Sequence, residues 1–304
     1  MKRVRYGHKN NFKYADRKTR LPVTEGAELM PFLVANLPRQ SRNNIKSLLA
    51  RGQVSVDDHI VRQYNHPLQP GQEVVVDGSP VWGKVVAQGL KILYEDSSLL
   101  VVDKPAGLLT IATDSEKENT AYHHLMDYVR EKNPDNRIFI VHRLDRDTSG
   151  VIVLAKQEEV KRRFQEHWKE LIAERAYIAV VEGSVSQRED TVRSWLLETK
   201  TKHIYSSSKP GDGLEAVTHY KVLQTSSQYS LLEIHLSTGR KNQIRVHMHD
   251  IGHPIVGDKK YGSAINPLRR LALHARVLAF EHPVSGQPMR FETEIPPQFL
   301  ALFK

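Results

Sequence analysis

One short segment, Val141–Gly150, concentrates side chains that could do chemistry. It reads VHRLDRDTSG and separates two apolar stretches, so we expect a loop at the ends of two strands, where functional groups are commonly placed. Asp145 lies between Arg143 and Arg146, and a carboxylate beside cations stays ionised, as a nucleophile must. The alternative is an Asx-type turn at Asp147 with surface ion pairs, which we prefer for Asp147 itself. A turn does not require four charged or imidazole groups in a row, and this favours a chemical role for Asp145.

A second polar segment could instead indicate a metal-dependent hydrolase. It contains four potential metal ligands, namely His247, His249, Asp250 and His253. The apolar residues of the same segment recur at helical spacing up to Gly252, which predicts a helix. Residues two apart on a helix are separated by about 200° around its axis, so His247 and His249 would point away from each other. The metal site therefore requires an extended segment, and a chelator would inactivate such an enzyme.

The segment around Asp145 resembles the active-site signature of the RluA-type pseudouridine synthases. The matching residues are His142-Arg143-Leu144-Asp145 and Thr148-Ser149-Gly150. Further segments resemble the family's other motifs in the family's order: Tyr94–Gly107, Arg175–Ala179, Thr238–His247 and Gly252–Asp258. The resemblance covers about residues 90–300. It has one departure, because Asn242 stands where the family usually has histidine; asparagine can also donate and accept hydrogen bonds.

This resemblance implies an isomerase that converts uridine in RNA to pseudouridine without a cofactor. The base is detached from C1′, rotated and rejoined through C5. Asp145 is the expected catalytic carboxylate, whether it attacks C1′ or removes a sugar proton, and Arg245 should hold it ionised. Tyr177 should stack on the uracil, with Ile244 on its other face, and Arg143 should fill the place of the flipped nucleotide. The other expected substrate contacts are His142, Asn242 and Gln243.

The elements that position these residues are mostly strands. Nine strand patterns are Ile92–Tyr94, Leu99–Asp103, Ile138–Val141, Val151–Ala155, Ala176–Glu182, Val217–Leu223, Tyr229–Leu236, Leu273–Phe280 and Met289–Ile295. Helical patterns interrupt them at Thr120–Glu131 and Glu158–Leu171, and Ser206–Ser208 reads as a polar hairpin loop. Many strands with few helices favour an α+β fold with a mixed, largely antiparallel sheet and flanking helices. For Tyr177 and Ile244 the alternative to a substrate contact is a structural role in the hydrophobic core.

The first part of the chain predicts a small α+β domain. Helical spacing from Leu29 to Leu37 ends at Pro38, and Ser41 caps a second helix, Arg42–Arg51. Strand patterns follow at Gln53–Asp58 and Glu73–Val76. This order resembles the S4 RNA-binding domain, with Asp57-Asp58 where that family usually has Asn-Gly. The resemblance implies RNA contacts from Arg42, Lys46 and Arg51, although a docking domain without RNA function has the same pattern.

The charge of the chain is concentrated near its beginning. The net charge is +9, and residues 1–80 carry 13 basic and 7 acidic groups, or +6. Eight of these cations lie in residues 1–20, interleaved with aromatic rings, which suits a polyanion, although a solvated tail is the alternative. The complete lack of cysteine excludes disulfides, thiolate zinc sites and cysteine nucleophiles. No apolar run has the length of a membrane span.

Together these features predict four parts: a basic arm (1–24), an S4-like domain (25–78), a linker (79–90) and a catalytic domain (91–304). The expected protein is a cytoplasmic monomer that acts on structured RNA without metal, cofactor or membrane. Ribosomal RNA is favoured over transfer RNA by analogy with other proteins that carry S4-like domains. A catalytically inactive RNA-binding protein is the remaining alternative, against which the intact Asp145, Tyr177 and Arg245 argue.

Overall fold

The computed structural model describes residues 18–38, 40, 42–50, 53–77, 84–86, 89–114 and 116–304. The chain divides into two compact units, Met1–Val81 and Trp82–Lys304. Several expectations fall outside the described residues, namely most of the basic arm, the cap at Ser41, the contact at Arg51 and most of the linker.

The first unit contains both predicted helices. Its elements are β1 (Lys18–Pro22), β2 (Ala27–Glu28), α1 (Leu29–Asn36), α2 (Arg42–Ala50), β3 (Val54–Val56), β4 (His59–Ile60), β5 (Pro67–Leu68) and β6 (Glu73–Asp77). Four strands form an antiparallel sheet in the order β1-β6-β3-β4. The helices bury Leu33 and Ile45 in a common core with Val54, as the helical spacing requires. Strand β1 lies within the range expected for the arm, so this part of the arm is folded against β6.

The turn between β3 and β4 is formed by Asp57 and Asp58, at the position where S4 domains usually have Asn-Gly. Asp57 and Asp58 both have positive φ, 47° and 63°, as a two-residue hairpin turn requires. The Asp57 carboxylate accepts hydrogen bonds of 2.9 Å from the Glu73 backbone N–H and the Gln72 amide. These bonds, the first of them the larger cause, hold the pKa of Asp57 below its usual value. The acidic turn is therefore stabilised by its own carboxylate.

The second unit is built on one large sheet. Its strands are β7 (Lys84–Val85), β8 (Lys91–Glu95), β9 (Leu99–Lys104), β10 (Phe139–Ile140), β11 (Ser149–Ala155), β12 (Ile172–Glu182), β13 (Glu189–Glu198), β14 (Ile204–Ser207), β15 (Leu214–Thr225), β16 (Tyr229–Leu236), β17 (Leu273–Glu281) and β18 (Pro288–Glu292). Its helices are α3 (Ala121–Lys132), α4 (Glu158–Glu166), α5 (Trp168–Leu171), α6 (Gln243–Asp250) and α7 (Pro297–Leu300), with 3₁₀ turns at Lys259–Tyr261 and Ala301–Phe303.

The sheet is mixed and largely antiparallel, which confirms the predicted fold class. Its strands follow the order β14-β13-β15-β16-β12-β17-β11-β9-β8-β7, with β10 paired to β11 and β18 paired to β17. Among the strand pairs of the described residues, only β11 and β17 run parallel. The structure corrects three details: β13 was not predicted, β14 includes part of the serine loop, and the helix Glu158–Leu171 is interrupted at His167.

The parallel pairing of β11 with β17 brings the end of the Val141–Gly150 segment into the middle of the sheet. Every residue of β11 is buried, which explains its continuous apolar sequence. Gly150 lies so close to β17 that a Cβ atom there would be 2.1 Å from the Ala275 carbonyl oxygen, and its φ is +117°. Only glycine fits this approach. Since Ala275 also pairs with Tyr177 on β12, strand β17 brings the motif strands β11 and β12 together at one point.

Three histidines, of which His247 and His274 are buried and His142 is half-buried, should make the second unit sensitive to acid. Burial lowers the pKa of His142 to about 3, and that of His247 and of His274 to about 4. Each ring is neutral in the fold but takes up a proton near pH 6.5 when the chain unfolds, so stability is full above pH 6.5 and falls on acidification. Each histidine contributes about 1.4 kcal/mol per pH unit to the slope of the free energy of unfolding, between its pKa in the fold and its pKa in the unfolded chain. Burial opposes ionisation of Glu95, but Lys156 and Lys132 lower its pKa to about 2, so Glu95 contributes a slope only below pH 4.5.

We therefore expect the free energy of unfolding, measured with urea, to fall steadily between pH 6.5 and about pH 4.5. His247→Gln should reduce the number of protons taken up on unfolding by about one, and should therefore lower the pH slope of the free energy of unfolding. His249→Gln, on the exposed side of the same helix, should leave the slope unchanged. Equal slopes for wild type and His247→Gln would show that His247 does not contribute to the pH dependence of stability.

Candidate active site

The loop between β10 and β11 presents Asp145 from a fixed backbone. Leu144, which precedes it, is buried, and its carbonyl oxygen accepts a hydrogen bond of 2.7 Å from the Thr110 hydroxyl. The Thr148 backbone N–H donates to the Asp145 carbonyl oxygen at 3.2 Å and closes the turn. The Asp145 side chain remains 30% exposed. The loop therefore holds a carboxylate in place while leaving it open to a ligand.

A buried lysine beneath the loop supports it from the other side. Lys104 is inaccessible to solvent, and its Nζ donates to the carbonyl oxygens of Pro105, Leu108 and Arg146 at 2.9, 2.7 and 3.1 Å. Burial lowers the pKa of Lys104 to about 7. Its three ammonium protons match the three carbonyl acceptors, so Lys104 ties the residue after Asp145 to the end of β9.

Arg245 on α6 lies between two carboxylates. Its Nε and Nη2 donate to Asp258 Oδ2 and Oδ1 at 2.6 and 2.7 Å, which is a bidentate ion pair with a fully buried carboxylate. Its Nη1 lies 3.5 Å from Asp145 Oδ2. Burial opposes the charge of Arg245, but the hydrogen bond and charge of Asp258 outweigh it and raise the arginine's pKa. Asp258 thus fixes a permanent cation whose remaining terminal nitrogen, Nη1, faces Asp145.

Asn242 completes the surroundings of Arg245. It precedes α6 with φ +56°, in the left-handed region that asparagine tolerates better than most side chains. Its Nδ2 donates to the Tyr261 hydroxyl at 2.8 Å, and its Oδ1 accepts from Arg245 Nη1 at 3.4 Å. The Tyr261 ring in turn packs against the guanidinium, 4.9 Å from its centroid. The amide therefore connects the arginine to a second residue that holds it.

The side chains around Asp145 enclose a cavity of about 350 Å³, a size typical of small-ligand sites. Of the expected residues, those that line it are Arg143, Asp145, Tyr177, Asn242, Gln243, Ile244 and Arg245. Tyr177 and Ile244 supply apolar walls, together with Leu236 and Leu273. Burial raises the pKa of Tyr177, so its hydroxyl stays protonated. The cavity combines flat apolar surfaces with one carboxylate–guanidinium pair.

Gln243 lines this cavity, but its amide is fully used within the protein. Its Oε1 accepts from the Thr238 hydroxyl at 2.7 Å and the Arg240 backbone N–H at 3.0 Å. Its Nε2 donates to the Val217 carbonyl and the Thr218 hydroxyl at 3.0 and 2.9 Å. Two accepted and two donated bonds exhaust a glutamine amide. The Gln243 amide therefore supports the 238–240 turn, and its expected contact with the substrate stays a prediction.

His142, an expected substrate contact, is not among the residues that line the cavity. Its Nε2 accepts a hydrogen bond of 3.1 Å from the Val153 backbone N–H, and its ring packs 5.3 Å from that of Trp168. Burial, and then the charge of Arg175, lower its pKa to about 3. A neutral imidazole that accepts a backbone hydrogen bond stabilises the loop from behind.

The segment that suggested metal ligands is helical, as its apolar spacing predicts. It forms α6, where His247 is buried and bonded to the hydroxyls of Ser194 and Thr218 at 2.9 and 2.8 Å. His249, in contrast, is exposed. The described residues contain no group of three or more potential metal ligands. In the described part of the chain, no helix is both long and apolar enough to cross a membrane.

Sequence reasoning missed two residues that fix Arg245, namely Asp258 and Tyr261. Asp258 ended a matched motif, but an isolated acidic residue in a loop gives no signal of its partner. Lys104 directly follows the predicted strand Leu99–Asp103, and its burial could not be read from its type, because lysine is almost never fully buried without hydrogen-bond partners.

Comparison with known proteins agrees with this geometry. A family model described as RNA pseudouridylate synthase matches residues 98–250. An uncharacterized RNA pseudouridine synthase of Bacillus subtilis is 35% identical, over 90% of this chain and 92% of the relative. The ribosomal large subunit pseudouridine synthase D of Pseudomonas aeruginosa is 32% identical, over 94% of each chain.

A solved human structure, RNA pseudouridylate synthase domain containing 1, has the same fold. Its TM-score is 0.56 at 24% identity, and the match covers 72% of this chain and 89% of that one. The family model and the identity to the bacterial relatives decide the family. The chain belongs to the RluA-type RNA pseudouridine synthases, which isomerise uridine in RNA to pseudouridine.

Proposed function

We propose that this enzyme modifies uridine in the RNA of the large ribosomal subunit. The support is the similarity to ribosomal large subunit pseudouridine synthases D, those of Pseudomonas aeruginosa and Nitrosomonas europaea each being 32% identical over more than 90% of this chain. We expect that mapping of pseudouridines in total RNA, with and without the protein, will show loss from large-subunit ribosomal RNA. Loss confined to transfer RNA would contradict the proposal.

Asp145 is the proposed catalytic carboxylate, acting at the ribose of the target nucleotide. The observation that carries this assignment is its partly exposed position in the cavity, 3.5 Å from Arg245 Nη1. Because Asp258 holds Arg245 through two hydrogen bonds, the guanidinium is fixed beside the Asp145 carboxylate.

The uracil should occupy the apolar part of the cavity, between Tyr177 and Ile244. Both side chains line it, and Tyr177 is fixed by its pairing with Ile234 and Ala275 in neighbouring strands. Its protonated hydroxyl can take part in proton transfer at C5. Arg143 is exposed at the cavity and has no ion-pair partner among the described residues, so it is free to enter the space that the flipped nucleotide leaves.

For the first unit we propose an S4-like role in binding RNA. Helix α2 exposes Arg42 and Lys46 one turn apart on the same face. Their replacement by glutamine should weaken binding of the RNA substrate and lower the slope of log Kd against log salt by about 0.7 for each phosphate that the variant no longer neutralises. Arg62→Gln, an exposed arginine of the same unit, is the matched control. Identical salt slopes for all variants would place the RNA-binding surface elsewhere.

We further propose that the enzyme acts as a cytoplasmic monomer without cofactor or metal. The chemistry of the cavity supports a reaction without cofactor or metal, since a carboxylate, a guanidinium and a tyrosine suffice for the isomerisation described above. Activity should survive dialysis against a chelator, and sedimentation should give the mass of one chain. Loss of activity restored by a divalent metal ion would contradict this part of the proposal.

A further inference from the structure

Arg175 on β12 is a half-buried cation that takes no part in the contacts around Asp145. It lies two residues before Tyr177 and is not among the side chains that line the cavity. Its Nη2 donates a hydrogen bond of 3.2 Å to the carbonyl oxygen of Leu236. A Cβ atom on Gly239 would lie 2.6 Å from Arg175 Nη1, so the guanidinium lies against the backbone there. Since Leu236 and Gly239 both line the cavity, Arg175 lies directly behind one of its walls.

The charge of Arg175 is not neutralised by a carboxylate. Among the residues that the structure describes it forms no ion pair, and its hydrogen bond is to a neutral carbonyl group. The ring of Trp168 lies nearby, with its centroid 5.8 Å from the guanidinium carbon. Burial lowers the pKa of Arg175, yet arginine stays protonated in proteins. A half-buried cation without a counter-ion is costly, and groups of this kind are found most often at functional sites.

The isomerisation creates a negative charge on the base. When the C1′–N1 bond breaks, its electron pair leaves with the uracil, which becomes an anion whose charge is shared by N1 and the carbonyl oxygens. This holds whether Asp145 bonds to C1′ or removes a sugar proton that it later returns. The anion then bonds to C1′ through C5, C5 releases its proton and N1 takes one up, so that atoms and charges balance. A fixed positive charge beside a site that excludes water lowers the barrier to such a step.

We propose that Arg175 is a positioning residue that holds a positive charge behind the base pocket and thereby stabilises the uracil anion. The proposal rests on the proposed position of the uracil between Tyr177 and Ile244. In this account Asp145 acts at the ribose, while Arg175 acts on the departing base through the wall formed by Leu236 and Gly239.

The cations that line the cavity itself are less suited to this role. Arg245 is bound by a buried carboxylate and faces Asp145. The other three are exposed, and water weakens the field of an exposed charge. They are Arg143, Arg240 and Lys241. Arg175 is thus the half-buried cation beside this cavity whose charge is not already bound by a carboxylate of the described residues.

Single-turnover reactions of the full chain test the charge of Arg175, with the RNA that pseudouridine mapping identifies as substrate. Arg175→Gln removes the charge but keeps an N–H donor, and should lower the maximal rate by about 30-fold, less than the loss of a donor that touches the developing charge. The enzyme concentration at half-maximal rate should not change. Arg175→Lys keeps the charge and should restore most of the rate. Arg188→Gln, an exposed arginine that does not line the cavity, is the matched control and should react as wild type.

A better leaving group separates stabilisation of the anion from support of the wall. Fluorine at C5 withdraws electrons and stabilises the uracil anion, so the same RNA transcribed with 5-fluorouridine should depend less on Arg175. The loss caused by Arg175→Gln should therefore shrink several-fold. It is measured as consumption of 5-fluorouridine, because fluorine replaces the proton that C5 must release. Gly239→Ala, whose methyl group would displace the guanidinium, should show a smaller loss that shrinks in the same way.

Two results would overturn the inference. One is a wild-type maximal rate in Arg175→Gln; the other is an equal loss with both RNAs in a variant that circular dichroism shows to be folded, which would mean that Arg175 only supports the wall. Pseudouridine formation by wild type is measured in the same series. Its absence would overturn the proposed function as well, whereas an active wild type with unaffected variants would overturn the role of Arg175 alone.

Discussion

Asp145→Asn should reduce pseudouridine formation by at least about 10⁴-fold, a loss of the size seen when a nucleophile is removed from other enzymes. The amide is not a nucleophile and carries no charge to stabilise a cationic sugar. It still fits the space and can accept a hydrogen bond from Arg245 Nη1, which lies 3.5 Å from the carboxylate in the structure. The fold of the loop should survive, because Lys104 and Thr110 hold its backbone rather than the side chain. The measurement is single-turnover formation of pseudouridine in the RNA substrate.

The matched control is Asp147→Asn, two residues away in the same loop. Asp147 forms an ion pair with Arg146 near the surface, and pairs of this kind contribute little to stability. We expect this variant to keep activity within a few-fold of wild type, and Asp145→Asn to keep RNA affinity within a few-fold. Wild-type activity in Asp145→Asn would remove Asp145 from its proposed role.

Asp258→Asn should have the second largest effect, although Asp258 is not expected to touch the substrate. The substitution removes the charge that binds Arg245 Nε and Nη2 and leaves a half-buried cation whose nearest remaining carboxylate is Asp145. Breaking a buried pair in this way destabilises a protein by about 3 kcal/mol. Arg245 should then turn towards Asp145, and a misplacement of about 1 Å lowers turnover by about 10²-fold.

Two readouts separate a positioning role from simple unfolding. Asp258→Asn should lower kcat with little change in KM at a temperature where circular dichroism shows a folded protein. Asp250→Asn, an exposed aspartate at the end of the same helix as Arg245, should change neither stability nor kcat. A folded Asp258→Asn variant with wild-type kcat would show that Arg245 is oriented by other groups.

The fold class and most of the site were predictable because the relevant signals are local. The buried strand β11 is apolar throughout, and the apolar spacing of α6 matches its helical period. The motif residues around Asp145, Tyr177 and Arg245 are far apart in sequence, yet the structure brings all three to one cavity. The resemblance to a family identified them together, which no local pattern could do.

The remaining details depend on tertiary contacts that leave no local trace. Apolar and polar residues alternate only weakly in β13, and its first half is mostly exposed, so the sequence shows no clear strand pattern there. Its pairing with β15 identifies it as a strand. His142 and Gln243 have the residue types of substrate ligands, and the sequence does not show that they form hydrogen bonds with Val153, Thr238 and Thr218. Hydrogen bonds between residues far apart in sequence become visible only in the fold.

A structure of the enzyme with an RNA that contains its target uridine tests the central claim most directly. We expect the uridine to be turned out of the RNA, with its base between Tyr177 and Ile244 and an Asp145 carboxylate oxygen about 3 to 3.5 Å from the ribose atom on which it acts. A uridine that remains stacked in the RNA, or a ribose bound out of reach of Asp145, would contradict the account.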